Sequence, residues 1–128
     1  MANKFHNPKS VVLAGKYSLG CEIPAGARIL FVAGQVGVDS GGKLLDGIDA
    51  QCDQVWKNIG EVLKAAGMDY RDIVKIVVFL TDSRFIAASR AAREKYIGEP
   101  YPASTLLIVQ GLADPSMLVE IEVVAAKS

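Results

Sequence analysis

The chain has 128 residues, of which 51% are hydrophobic and 22% are charged, and its 14 basic residues balance 14 acidic ones. This composition excludes disordered and fibrous proteins. The sequence shows no basic excess or basic stripe, so no nucleic-acid partner is expected. The longest apolar run, residues 73–80, is too short to cross a membrane, and the first six residues lack the apolar core of a secretory signal. We therefore expect a cytoplasmic protein with no membrane partner.

Cys21 and Cys52 are the only cysteines, and His6 is the only histidine. Their separation fits no metal-binding pattern, so no metal site is expected. Cys52 lies on the apolar stripe of a predicted helix, which favours a core position over a reactive thiol. His6 lies in an N-terminal extension, where we expect it to be solvated.

The first part of the chain predicts two strands, over residues 17–23 and 29–38, joined by a Pro-Ala-Gly turn. The short loop predicts an antiparallel hairpin. The second strand is apolar almost throughout, which suggests cover on both faces. Gly34 and Gly37 within it are typical of a bulge or of a close approach to the backbone. A further short strand is predicted over residues 43–45.

The first helix is predicted over residues 50–66, with Asp49 as its N-cap and Gly67 immediately after its end. A strand rich in β-branched residues follows over residues 72–80. The apolar positions of the helix recur at helical spacing and form one face, which consists of Cys52, Val55, Trp56, Ile59, Val62, Leu63 and Ala66.

A second helix is predicted from Asp82 or Ser83 to just before Gly98. Its inward stripe includes Ser89, a polar residue among apolar ones, and strands over residues 104–109 and 118–125 complete the chain. This order predicts one α+β domain, with a mixed β-sheet and two helices on one face. The other face of the sheet then lacks cover within one chain, and self-association would supply it.

The last strand carries two carboxylates on one side. Glu120 and Glu122 share one face, whereas Val119, Ile121 and Val123 share the other. Two carboxylates on an apolar strand fit general acid–base chemistry. A solvated face of an antiparallel strand has the same pattern, so the alternation alone leaves both interpretations open.

Several short segments along the chain form a wider sequence pattern together with these two glutamates. In order they are Tyr17-Ser18, Phe31-Val32-Ala33-Gly34-Gln35, Asn58, Ala66-Gly67, Tyr101-Pro102-Ala103 and Glu120-Ile121-Glu122. Together they resemble the Rid family, also called YjgF, over residues 9–126. The specific part is the stretch from Pro102-Ala103 to the paired glutamates, because the glycine pattern alone is a weak signal.

The resemblance implies a chorismate-mutase-like domain that assembles into homotrimers, with ligand clefts between adjacent subunits. The best-known members of the family hydrolyse reactive enamines and imines to 2-oxo acids and ammonia without a cofactor. For this chain the resemblance therefore implies a small-molecule ligand, a homotrimer and no cofactor.

The resemblance also assigns roles to individual residues. Glu120 would activate the attacking water or pass a proton to the departing amine. Tyr17 would line the cleft, and the backbone of Gly34 would approach the polar end of the ligand. Ser89 stands where the family has an asparagine, and Ser104 stands where its deaminases have an arginine that clamps the substrate carboxylate.

A serine at position 104 changes the expected chemistry, because one neutral hydroxyl cannot replace a planar guanidinium. The hydroxyls of Ser104 and Thr105 either bind the ligand, or these two residues are simply the start of the predicted strand. The sequence gives no reason to aim another arginine at the cleft, although five lie outside this segment: Arg28, Arg71, Arg84, Arg90 and Arg93.

The expected function is therefore an imine or enamine hydrolase with a non-standard substrate. A non-catalytic trimer that binds a small metabolite or a protein is the alternative. RNA-directed activity, which some family members have been credited with, is a third hypothesis that the balanced charge does not favour.

Overall fold

The computed structural model describes all residues from Met1 to Ser128. Its strands and helices follow in the order β1 (Lys4–His6), β2 (Gly20–Glu22), β3 (Arg28–Gln35), α1 (Ile48–Ala65), β4 (Ile73–Leu80), α2 (Ile86–Glu94), β5 (Ala103–Ile108) and β6 (Val119–Lys127). Short 3₁₀ turns over Tyr70–Asp72 and Ser83–Phe85 precede β4 and α2.

Four strands form the main sheet, in the order β3-β6-β4-β5. The central strand β6 runs antiparallel to β3 and β4. β4 and β5 are parallel, since the chain crosses between them through α2. Both helices pack on one face of this sheet. The predicted α+β fold, a mixed sheet with two helices on one face, is confirmed.

The predicted hairpin between the first two strands is wrong. β2 pairs with β1 in a separate two-stranded sheet, and β3 pairs with β6. A short loop permits a hairpin without enforcing it, and β6 offers the apolar β3 a partner within the core. β3 also ends at Gln35, and the strand predicted over residues 43–45 is only a single bridge between Leu44 and Val38.

The helix α1 begins at Ile48, so Asp49 lies inside its first turn and is not the N-cap. The residue before the helix is Gly47, which has no side chain that could cap it. Asp49 nevertheless lies where the positive end of the helix dipole favours a carboxylate. At the other end the prediction is confirmed, because Gly67 has a φ of +71° and its N–H donates to the carbonyl of Lys64.

The core lies between the helices and the sheet. The predicted apolar face of α1 is buried there, apart from Ala66, which is partly buried, and Val62, which is exposed at the margin of the stripe. Cys52 is fully buried, and burial, together with the nearby Asp49, raises the pKa of its thiol to about 12. The prediction that Cys52 is a core residue rather than a reactive thiol is confirmed.

The strand β6 alternates as predicted. Val119, Ile121 and Val123 are buried beneath the helices, whereas Glu120 and Glu122 lie on the opposite face, called here the outer face of the sheet. On this outer face the neighbouring strand β3 leaves large hydrophobic side chains in solvent. Phe31 is 77% exposed and Ile29 is 53% exposed. The edge strand β5 is also apolar and exposed along Leu106, Leu107 and Ile108.

Candidate functional site

A pocket of about 420 Å³ opens between α2, β5 and the segment that precedes β2. Three of the residues predicted to bind a ligand line it: Tyr17, Ser89 and Ser104. Arg90 and Arg93 from α2 line it as well. The helix face of the sheet therefore carries a concave site that joins three separate segments of the chain.

The fold explains how these side chains converge. Ser104 on β5 lies beside Ile76 of β4, which is buried beneath the helices, so Ser104 faces the helices too. Ser89 is buried on the inward stripe of α2, as its spacing predicts. Tyr17 is held over β5 because the N–H of the next residue, Ser18, donates to the carbonyl of Pro102 at 3.0 Å.

Neither Arg90 nor Arg93 was predicted to face the pocket, and Arg93 is the one that contacts Ser104. Its Nη1 donates to Ser104 Oγ at 2.7 Å, and its Nη2 donates to the carbonyl of Lys16 at 3.4 Å. Arg93 follows Ser89 by four residues, so the two side chains share one face of α2. The inward position of Ser89 was therefore a signal that Arg93 also faces the pocket.

Positive charge predominates around this pocket. The pKa of the Arg93 guanidinium is lowered, mainly by burial and to a smaller extent by the positive charge of the neighbouring Arg90. The acidic residue of the lining is Glu94, and it already pairs with Lys16, whose Nζ lies 3.1 Å from Oε1. Neither Arg90 nor Arg93 forms an ion pair within the chain. The pocket is thus suited to an anionic ligand.

Glu120 and Gly34 form a second cluster, on the outer face of the sheet. Glu120 is half-buried and lies beside Phe79 of β4. Gly34 lies at the predicted bulge, where the pairing of β3 with β6 shifts. A side chain at position 34 would overlap the carboxylate of Glu120. The glycine therefore allows the carboxylate to lie directly against the backbone of β3.

Thr105 is the remaining residue predicted to bind a ligand. It lies on the outer face of β5, where its hydroxyl accepts a hydrogen bond of 2.8 Å from Lys75 Nζ. Within one chain, the pocket therefore contains Tyr17, Ser89 and Ser104. The sheet separates them from the other predicted site residues, which are Gly34, Thr105 and Glu120.

None of the helices is long and apolar enough to cross a membrane. No three His, Cys, Asp or Glu side chains lie close enough together to hold a metal ion.

The family described as Endoribonuclease L-PSP matches residues 9–127. The chain therefore belongs to this family, also called Rid or YjgF, and the resemblance found in the sequence is confirmed.

Individual relatives match along almost the whole chain. The 2-iminobutanoate/2-iminopropanoate deaminase of Mus musculus is 34% identical over 93% of this chain and 87% of its own. The crystal structure of the Rid-family protein YyfB from Yersinia pestis has a TM-score of 0.88 at 30% identity, and covers 99% of this chain and 100% of its own. TdcF of E. coli, solved with bound serine, has a TM-score of 0.74 at 27% identity over 91% of each chain.

Proposed function

We propose that this protein hydrolyses imines or enamines to carbonyl compounds and ammonia, without a cofactor, in a cleft formed between copies of the chain. The mouse relative supports the reaction class, since its name assigns it the deamination of two imines. TdcF supports a small polar ligand, because its structure contains serine.

The observation that carries the proposal is the division of the site between the two faces of one sheet. Ser104 faces the helices, whereas Glu120 faces away from them. A small ligand cannot contact both side chains of one chain, because the sheet lies between them. A second copy that places its outer face against the pocket would bring both side chains to the same ligand.

We expect the assembly to be a homotrimer. The exposed Phe31 and Ile29 and the open edge of β5 offer the apolar surface that such contacts need. Light scattering at micromolar concentration should give a mass of about three times the 13.6 kDa of one chain. A stable monomer under these conditions would contradict the shared cleft.

Glu120 is the candidate catalytic residue. In imine hydrolysis, water adds to the carbon of the C=N bond and a proton goes to the nitrogen. The C–N bond then breaks, ammonia leaves, and a C=O bond remains. A carboxylate beside the reacting carbon accepts the proton of the attacking water and returns it to the departing amine. Tyr17 and Ser89 would line the cleft around the ligand, and the backbone of Gly34 would contact its polar end.

Replacing Gly34 by alanine tests the position of this carboxylate. The new Cβ would overlap the end of the Glu120 side chain, which is flexible and can turn away without unfolding the strand. We expect a loss of hydrolysis of about 100-fold, the effect of moving a catalytic group by about 1 Å, with the thermal unfolding temperature nearly unchanged. An active Gly34→Ala protein would show that Glu120 need not lie against β3.

The function itself is tested by product release from freshly generated imines. An amino acid oxidase or a dehydratase supplies the imine in the presence of this protein, and the formation of ammonia is followed over time. We expect release well above the uncatalysed rate for at least one imine or enamine. Release no faster than in a buffer control, across aliphatic, acidic and aromatic imines, would contradict the hydrolase.

The same protein sample distinguishes the alternatives. Binding of a carbonyl compound without hydrolysis would favour a non-catalytic ligand-binding trimer. RNA cleavage is named in the description of the family. The absence of a net positive charge does not favour RNA binding by this chain. Retention of RNA that weakens as salt increases would favour that activity.

A further inference from the structure

Arg93 combines burial with an unsatisfied positive charge. Its side chain reaches from the end of α2 towards the start of β5, and two of its N–H groups are bound to neutral acceptors. A guanidinium has five N–H donors in a planar fork, so donors remain for a ligand. No carboxylate of the chain contacts it.

The surroundings make this charge unfavourable as long as the pocket holds no anion. Burial and the nearby Arg90 both disfavour the protonated form, which lowers the pKa of Arg93. A half-buried charge without a counter-ion destabilises a fold. Such an arrangement is retained most readily where a ligand supplies the opposite charge.

A second buried polar group belongs to another residue that lines the pocket. Trp56 lines the pocket, and its indole N–H is buried without any hydrogen-bond acceptor. Most buried polar groups in proteins are hydrogen-bonded. The indole N–H is inaccessible to solvent, so it is the free donors of Arg93 that a ligand with acceptor atoms can reach.

We infer that Arg93 binds a carboxylate of the ligand from α2, and that Ser104 is a positioning residue that holds the guanidinium in place. This inference rests on the proposed function, since it concerns the same cleft. The serine at position 104 is then not a lost clamp. It accepts a hydrogen bond from the arginine that does the clamping, and three of the five N–H donors of the guanidinium are left for the carboxylate.

The test measures binding rather than turnover. The intact protein is titrated by calorimetry with 2-oxobutanoate, which carries a carboxylate and cannot be deaminated, and with 2-oxobutanamide, its uncharged counterpart. We expect the native protein to prefer the carboxylate, and Arg93→Gln to lose between about 30- and 1,000-fold in affinity for it. Arg93→Gln should bind the amide about as well as the native protein does, so the preference disappears.

Further variants separate binding from folding. Arg93→Lys keeps the charge and should recover part of the affinity, which a variant that merely unfolds cannot show. Ser104→Ala should weaken carboxylate binding by less than Arg93→Gln while keeping the preference over the amide. The control is Arg84→Gln, which removes an exposed arginine already paired with Asp82 and should leave both affinities unchanged.

Two results would overturn the inference. One is a native protein that binds the carboxylate no better than the amide. The other is an Arg93→Gln protein that keeps the preference, above all if Arg90→Gln loses it. Neither depends on hydrolysis. Arg93-dependent binding without ammonia release would support the inference while contradicting the hydrolase, and hydrolysis unaffected by Arg93→Gln would do the reverse.

Discussion

Glu120→Gln should lower kcat/KM for imine hydrolysis by about 100- to 10,000-fold, the range over which general acid–base groups contribute. The amide keeps the shape of the carboxylate, but it cannot take a proton from water. Glu120 forms no ion pair within its chain, so the substitution should leave folding intact. The measurement is steady-state ammonia release, together with light scattering on the same sample.

The matched control is Glu122→Gln, on the same face of the same strand. Glu122 is two residues further along β6 and is exposed, whereas Glu120 is half-buried against Gly34. We expect this variant to stay within about threefold of the native rate, as surface substitutions usually do. Equal losses in both variants would indicate a general effect of charge on the outer face. If Glu120→Gln alone dissociated the assembly, Glu120 would be an assembly residue.

Gly37→Ala should lower the free energy of unfolding by about 3 kcal/mol, near the upper end of the range for overpacking a close contact. An added Cβ would lie 2.6 Å from Cα of Gln51, so α1 itself would have to move. The Gln51 amide also joins two loops, because it donates to the carbonyls of Leu45 and Ser116 at 3.0 and 2.9 Å. Its Oε1 accepts from the N–H of Leu118 at 2.9 Å.

Urea unfolding at a fixed protein concentration measures this loss, since assembly adds to apparent stability. Gly111→Ala is the control. Its added Cβ would meet nothing within 4 Å, and its backbone does not have a positive φ. The control should remain within about 0.5 kcal/mol of the native protein. A stable Gly37→Ala protein would show that α1 and the loop after β3 can separate without cost.

The hydrophobic periodicity of the sequence predicted the strands and helices in which one side is buried and the other is exposed. β6 alternates because one face lies under the helices, and the alternation of Val119, Glu120 and Ile121 records this directly. The second helix was also predicted from burial, because Ser89 and Ala92 lie on its buried side, but α2 is shorter than predicted and covers only Ile86–Glu94. The alternation of residues within a strand does not show which other strand it pairs with. β2 looked like half of a hairpin, but its partner β1 comes from the first residues of the chain.

The site was only partly predictable because it depends on contacts that are distant in sequence. The spacing from Ser89 to Arg93 places both on one face of α2, but the approach of that face to Ser104 is a tertiary contact. The serine at position 104, considered alone, indicated only that the positive charge of the family's arginine is absent there. The opposite placement of Thr105 follows from strand alternation once Ser104 is known to face the helices.

If copies of the chain share the cleft as proposed, the separation of Ser104 and Glu120 by the sheet has a genetic consequence. In a cleft shared between copies, each chain contributes its pocket to one site and its carboxylate to another. A chain defective in both clusters therefore inactivates sites that belong in part to normal neighbours. If normal and defective chains are made in equal amounts and mix at random, only about a quarter of the clefts are intact. Such an allele would be dominant in its effect, whereas two alleles defective in different clusters would partly complement each other.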